Sequence, residues 1–143
     1  MRLALRLAVR AGEAGEVPVG AVVVREGNVI GRGANARESS GDPTAHAEVV
    51  ALREAAIALG SWHLEATTVY ATLEPCPMCA GALVMARVSR LVFAAADPKA
   101  GSCGSLYNLC ADPRLNHELE VSRGVLSEES GKMLAKWFSA KRP

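Results

Sequence analysis

The sequence predicts an α/β layered sandwich. Three observations point to it. An apolar hairpin lies near the N-terminus, helical and strand-like segments alternate after it, and 143 residues suit one domain, residues 1–143. A chain of this size buries roughly two-thirds of its unfolded surface, so it needs neither a disulfide nor a metal merely to fold.

Each element follows from local chemistry. Residues 1–13 read as an amphipathic helix closed by Gly12 and Gly15, with Arg2, Arg6 and Arg10 on its solvent face. Val17 to Val24 (VPVGAVVV) reads as a strand, Glu26-Gly27-Asn28 as a hairpin turn, and Val29-Ile30-Gly31 as the start of the returning strand. Glu38 to Asp42 is a polar loop. A second helix is expected to begin near Asp42-Pro43 or Thr44 and to run to about Leu59, with Val49, Leu52, Ala56 and Leu59 on one face. Thr67 to Leu73 is a third strand, Cys76 to Ala86 a third helix and Arg90 to Ala95 a fourth strand. Asp97 to Asn116 is irregular or holds a short helix. Glu118 to Arg123 is a fifth strand, and Ser127 to about Lys141 the last helix.

Composition narrows the function classes. Half of the residues are hydrophobic, which excludes a disordered chain. Only 4% are aromatic, so the core must be built from Ala, Val and Leu. The net charge of +1 excludes a polybasic protein but leaves room for a local basic patch. No apolar run approaches the roughly 18–20 residues of a membrane helix, and the N-terminal arginines break any signal-like core. Four cysteines without a signal suggest a reducing compartment, and the expected location is cytoplasmic.

Two segments carry chemistry: Thr44-Ala45-His46-Ala47-Glu48 and Pro75-Cys76-Pro77-Met78-Cys79. Each opens a predicted helix. Pro77 biases Cys76 away from α geometry and suits the first helical position itself. Cys76 then stands at the cap with Cys79 one turn on, and both thiols can meet one ion. Unpaired amides at the helix start favour the thiolates that bind metal. His46, Cys76 and Cys79 supply three ligands, and a catalytic zinc leaves its fourth position to water. Two thiolates neutralise the ion, so a base is wanted nearby, and Glu48 is the candidate. In a regular helix Glu48 would lie roughly 200° around from His46, so spacing alone does not bring them together. An isolated CxxC is also found in redox pairs and in structural zinc sites. A structural zinc would recruit Cys103, Cys110, His63 or His117. The HAE segment upstream of PCxxC favours the zinc-deaminase signature.

The chain resembles the bacterial tRNA-specific adenosine deaminases of the cytidine deaminase-like superfamily. The likeness rests on PTAHAE, LEPCPMCAGA, EVPVGAVVV, Gly33-Ala34-Asn35, DPKAGSCGSL and Asn116-His117. It implies a three-layer αβα sandwich with a central five-stranded mixed sheet. It implies His46, Cys76 and Cys79 as ligands of one Zn2+ per subunit, with Glu48 as proton shuttle. Asn35 would bond the target base and the Ala47 backbone would orient it, while Val17, Leu73 and Pro75 would shape the pocket. Asp97, Lys99 and Asn116 would lie near the flanking RNA, and Lys141 and Arg142 form a short basic tail. The implied partners are a tRNA anticodon stem-loop and a second copy of the chain in a homodimer, with no membrane.

The chain starts later than such relatives and its tail is short, which is expected to affect stability and the strength of tRNA binding. Cys103 and Cys110 read as buried small residues, His63 as a surface residue, and Trp62 and Trp137 as packing residues. His117 fits a structural hydrogen bond as well as an RNA contact. The implied reaction is hydrolytic deamination of the wobble adenosine to inosine. The alternatives are a deaminase of free cytosine, guanine or a nucleoside, and a non-catalytic zinc or redox module.

Overall fold

A computed structural model describes residues 1–142. The elements are α1 (Arg2–Glu13), β1 (Gly20–Arg25), β2 (Asn28–Ala34), α2 (Arg37–Ser40), α3 (Ala47–Leu59), β3 (Thr67–Leu73), α4 (Pro77–Met85), β4 (Arg90–Ala95), a 3-10 turn (Leu109–Ala111), β5 (Glu120–Arg123) and α5 (Ser127–Lys141). The five strands form one sheet in the order β2-β1-β3-β4-β5. β1 is antiparallel to both neighbours, whereas β3, β4 and β5 run parallel. Helices α1 and α5 pack against one face, and α3 and α4 cover the other. This is the three-layer sandwich around a mixed five-stranded sheet that the resemblance implied.

The strand sequences explain the layering. A central strand covered on both faces reads as an unbroken apolar run. In β1, Val22 packs under α1 with Ala4 and Leu7, while Ala21 and Val23 join the larger core beneath α3 and α4. Phe93 is the bulkiest fully buried side chain, and the rest of the core is mostly Ala, Val and Leu, as the low aromatic content predicts. The α1 arginines all face solvent. Among the described residues no helix is long and apolar enough to cross a membrane.

Small residues let helix and sheet touch backbone to backbone. A Cβ on Gly33 would stand 2.0 Å from the Ala47 carbonyl oxygen and 2.7 Å from the Ala51 nitrogen. The start of α3 is therefore seated directly on β2, which fixes where His46 and Glu48 lie. Gly33→Ala should push α3 off the sheet and destabilise the chain by about 3 kcal/mol, the upper range of overpacking. Denaturant midpoints compared at equal m-values would measure it.

Several boundaries differ from the sequence reading. β1 starts at Gly20 rather than Val17, because Pro18 lacks a ladder donor. The polar loop opens with α2, whose first amides are held by Glu16. β5 begins at Glu120 rather than Glu118. The important correction is α3. It begins at Ala47, not near Asp42–Thr44, because Asp42 accepts the Thr44 amide (2.8 Å) and hydroxyl (2.7 Å) in a turn that precedes the helix.

Candidate active site

That correction decides the geometry of the site. His46 is the N-cap of α3, with extended backbone (φ −72°, ψ 153°), so the helical-wheel angle does not apply to it. Its ring and the Glu48 side chain can converge from the opening turn. Cys76 is likewise extended (φ −73°, ψ 176°) and caps α4, with Pro77 in the first helical position. The Ala80 amide closes the first turn on the Cys76 carbonyl at 2.8 Å. Two helix starts thus face each other across the end of β3.

The donor atoms of His46, Cys76 and Cys79 lie within 4.8 Å of one another. His46 Nδ1 is 3.5 Å from Cys76 Sγ and 3.4 Å from Cys79 Sγ. The Cys79 thiol donates to Glu48 Oε2 at 3.2 Å. The hydrogen-bonding contact with Cys79, whose single S–H is shared with Glu48, holds the Cys76 thiol down at about 4, against the opposing effect of burial. That same contact and burial push Cys79 well above the ordinary thiol range. Two thiolates so close repel each other unless a cation stands between them. One imidazole and two thiols converging on one point are a donor set that suits zinc, with a position left open for a further ligand. Burial raises the Glu48 carboxyl above its usual value, in the direction a proton-carrying group requires.

A pocket of about 180 Å³ opens above this cluster. Val17, Asn35, His46, Ala47, Glu48, Leu73, Cys76 and Asp97 line it. Cys79 is buried beneath the lining, and Pro75 is buried behind it. Asn35 is held at both ends: its amide nitrogen donates to the Val17 carbonyl at 3.2 Å, and its oxygen accepts the Arg37 amide at 3.3 Å. One further N–H and one further lone pair remain for a ligand. Asn35→Ala should leave metal content unchanged and slow any reaction of a ligand held in this pocket about 5- to 150-fold, the worth of a pocket hydrogen bond of ~1–3 kcal/mol. Metal analysis beside steady-state rates would check it.

The other expected positions fall elsewhere. Lys99, Asn116, Lys141 and Arg142 are exposed and do not line the pocket. Lys141 Nζ sits 5.2 Å above the Trp137 ring. His117 Nε2 bonds the Val88 carbonyl at 2.6 Å, which gives that histidine a structural partner. Cys103 and Cys110 are buried with their sulfurs 3.3 Å apart, away from the three-donor cluster. His63 is exposed and stacks on Trp62.

Three polar residues near the pocket were not singled out in the sequence. Arg37 lies on its rim. Glu16, only 2% exposed, accepts the amides of Ser39 at 2.7 Å and Glu38 at 3.1 Å and so anchors the loop that carries Asn35. Glu74, also 2% exposed, lines the opposite wall. The available signal was a carboxylate inside an otherwise apolar run, in Leu73-Glu74-Pro75 and before Val17.

Residues 1–95 match the family model of the cytidine and deoxycytidylate deaminase zinc-binding region. A tRNA-specific adenosine deaminase of Bacillus subtilis is 52% identical over 138 residues, covering 96% of this chain and 86% of that protein. Another, from Haemophilus influenzae, is 48% identical over 143 residues, covering 99% and 83%. A solved structure from studies of A-to-I editing by tRNA:A34 deaminases at the wobble position superposes with a TM-score of 0.91 at 44% identity, over 94% of this chain and 97% of that one. Fold, donor cluster and relatives agree: the chain belongs to the cytidine and deoxycytidylate deaminase family, among its tRNA-specific adenosine deaminases.

Proposed function

We propose that this chain, as a single catalytic domain, hydrolyses adenosine to inosine and ammonia at the wobble position of a tRNA anticodon. The observation that carries the reading is the meeting of His46, Cys76, Cys79 and Glu48 at the foot of one pocket with Asn35 on its wall. The names of the relatives support the tRNA substrate.

His46 Nδ1 and the sulfurs of Cys76 and Cys79 would hold the zinc. Bound there, zinc acts as a Lewis acid that makes water a nucleophile at neutral pH. Glu48 takes the proton of the attacking water and delivers it to purine N1, which makes C6 electrophilic. As the water oxygen bonds C6, Glu48 carries that oxygen's remaining proton to the amine, the C6–N bond breaks and ammonia leaves. Asn35 orients the base edge, and the Ala47 backbone lies beside it. Val17, Leu73 and the buried Pro75 shape an apolar slot that excludes bulk water. The base must leave the anticodon stack to enter, which costs less for a loop nucleotide than for a paired one.

Asp97, Lys99 and Asn116 would meet the flanking RNA, with Lys141 and Arg142 adding charge from the tail. A homodimer is supported by an exposed apolar groove that Trp62, after α3, and Met85, at the end of α4, line together at 60% and 68% exposure. The cytoplasm is the compartment in which such a substrate and free thiols coexist.

The deciding experiment incubates zinc-loaded chain with unmodified tRNA bearing a wobble adenosine and detects inosine by nucleoside mass spectrometry. Inosine at that position is expected. Binding should weaken with salt at a slope of about 0.7 per phosphate contact, and Lys99→Ala or removal of Lys141 and Arg142 should flatten it. Deamination of free cytosine or guanine without inosine in tRNA would overturn the proposal.

A further inference from the structure

Glu74 is a buried carboxylate that the proposed chemistry does not use. It stands between the last residue of β3 and the Cys76 segment, and its own amide extends the β3–β4 pairing by donating to the Ala95 carbonyl at 2.8 Å. Burying a carboxylate is costly unless its lone pairs are filled. Here both oxygens are filled from one source. Oε1 accepts the Asp97 amide at 3.1 Å and the Ser105 hydroxyl at 2.5 Å. Oε2 accepts the amides of Cys103 at 3.1 Å and Ser105 at 3.0 Å. All four donors belong to the segment 97–105.

That segment is shaped to reach the carboxylate. A Cβ on Gly101 would lie 2.4 Å from Glu74 Cδ and Oε2 and 2.5 Å from the Asp97 carbonyl oxygen, so only glycine permits the approach. The Ser102 amide adds a bond to the Pro75 carbonyl at 2.9 Å. Asp97 and Ala100 of the same segment line the pocket opposite Asn35. One side chain therefore ties the segment bearing Cys76 to the outer wall of the pocket.

From this geometry we infer that Glu74 is a positioning residue for substrate recognition. It holds the 97–105 segment as the pocket wall, so that a nucleotide entering there is registered against the His46, Cys76 and Cys79 centre. The inference rests on the deaminase reading for its substrate, and on the hydrogen bonds alone for its hold on the segment.

Glu74→Gln tests it. The replacement keeps the volume but turns one acceptor into an NH2 group. At the Oε2 position that group would face two amide donors. It therefore settles at the Oε1 position, where the Ser105 hydroxyl can rotate to accept and the Asp97 amide loses its partner. The expected result is one zinc per chain, amide exchange at Asp97 at least about tenfold faster, and KM and Kd for tRNA about tenfold or more higher. Single-turnover rates at saturating tRNA should stay within about threefold. Ser105→Ala removes one bond at an exposed position and should shift exchange and KM the same way by a smaller factor, which keeps the test open if the first variant fails to fold. Unchanged exchange in the 97–105 segment would overturn the inference. So would an unchanged KM with losses confined to melting temperature and folded fraction, which is what a merely structural role gives. If the parent chain makes no inosine in tRNA, the deaminase reading fails by itself, and exchange together with tRNA binding still decides Glu74.

Discussion

Glu48→Gln should retain one zinc per chain and lose about 10²–10⁴-fold in deamination, the usual worth of a positioned acid–base group. The separation follows from where the side chain lies. Glu48 is 4% exposed in the first turn of α3, and its carboxylate faces the Cys79 thiol rather than completing the three-donor cluster. The amide fills the same space, but it cannot carry a proton. The fold should not suffer, because a group whose charged form is opposed by burial is replaced by a neutral one. Metal analysis, a thermal melt and single-turnover rates on tRNA would be measured together. Loss of zinc would make Glu48 a ligand. Near-parent turnover would remove it from the proton path.

The helix-initiation chemistry in the sequence was legible, and its offset was not. Asp42, Pro43 and Thr44 carry strong capping chemistry, and the structure uses it, but in a turn that ends three residues before the helix. Only the seating of Ala47 on Gly33 places the true start, and that contact joins residues from two elements. The shift makes His46 a cap residue and lets two side chains that a wheel puts on opposite sides share one site. The Cys76 segment needed no such help, because Pro77 specifies its own position. The roles of Glu74 and Glu16 were illegible for the same reason, although each stands out as a carboxylate beside apolar residues. Their partners lie 22–31 residues away along the chain, so no local spacing announces them. His117 is a third such case, since its partner Val88 is 29 residues away and the sequence left its role open.

Cys79→Ala should abolish zinc binding and take activity down with it, beyond about 10⁴-fold, because the Lewis acid that would lower the pKa of the attacking water is lost with the metal. The size of the effect follows from the donor count. Among the described residues three side chains converge, and the other cysteines and His117 are engaged elsewhere: Cys103 and Cys110 contact each other, and His117 is committed to the Val88 carbonyl. Removing one sulfur leaves an imidazole and a single thiolate, which cannot enclose a tetrahedral ion against water. The fold should persist, since Cys79 is one buried position at the start of α4 and the sheet, with helices on both faces, is built without the site. Far-ultraviolet circular dichroism should therefore match the parent while zinc content falls to background. Chelation of the parent followed by added zinc should restore inosine formation, and the same treatment should not rescue Cys79→Ala. A variant that kept stoichiometric zinc would show that a fourth protein ligand had been overlooked. The contrast with Glu48→Gln makes the pair decisive: one variant loses the proton path and keeps the metal, and the other loses the metal from which the proton path starts.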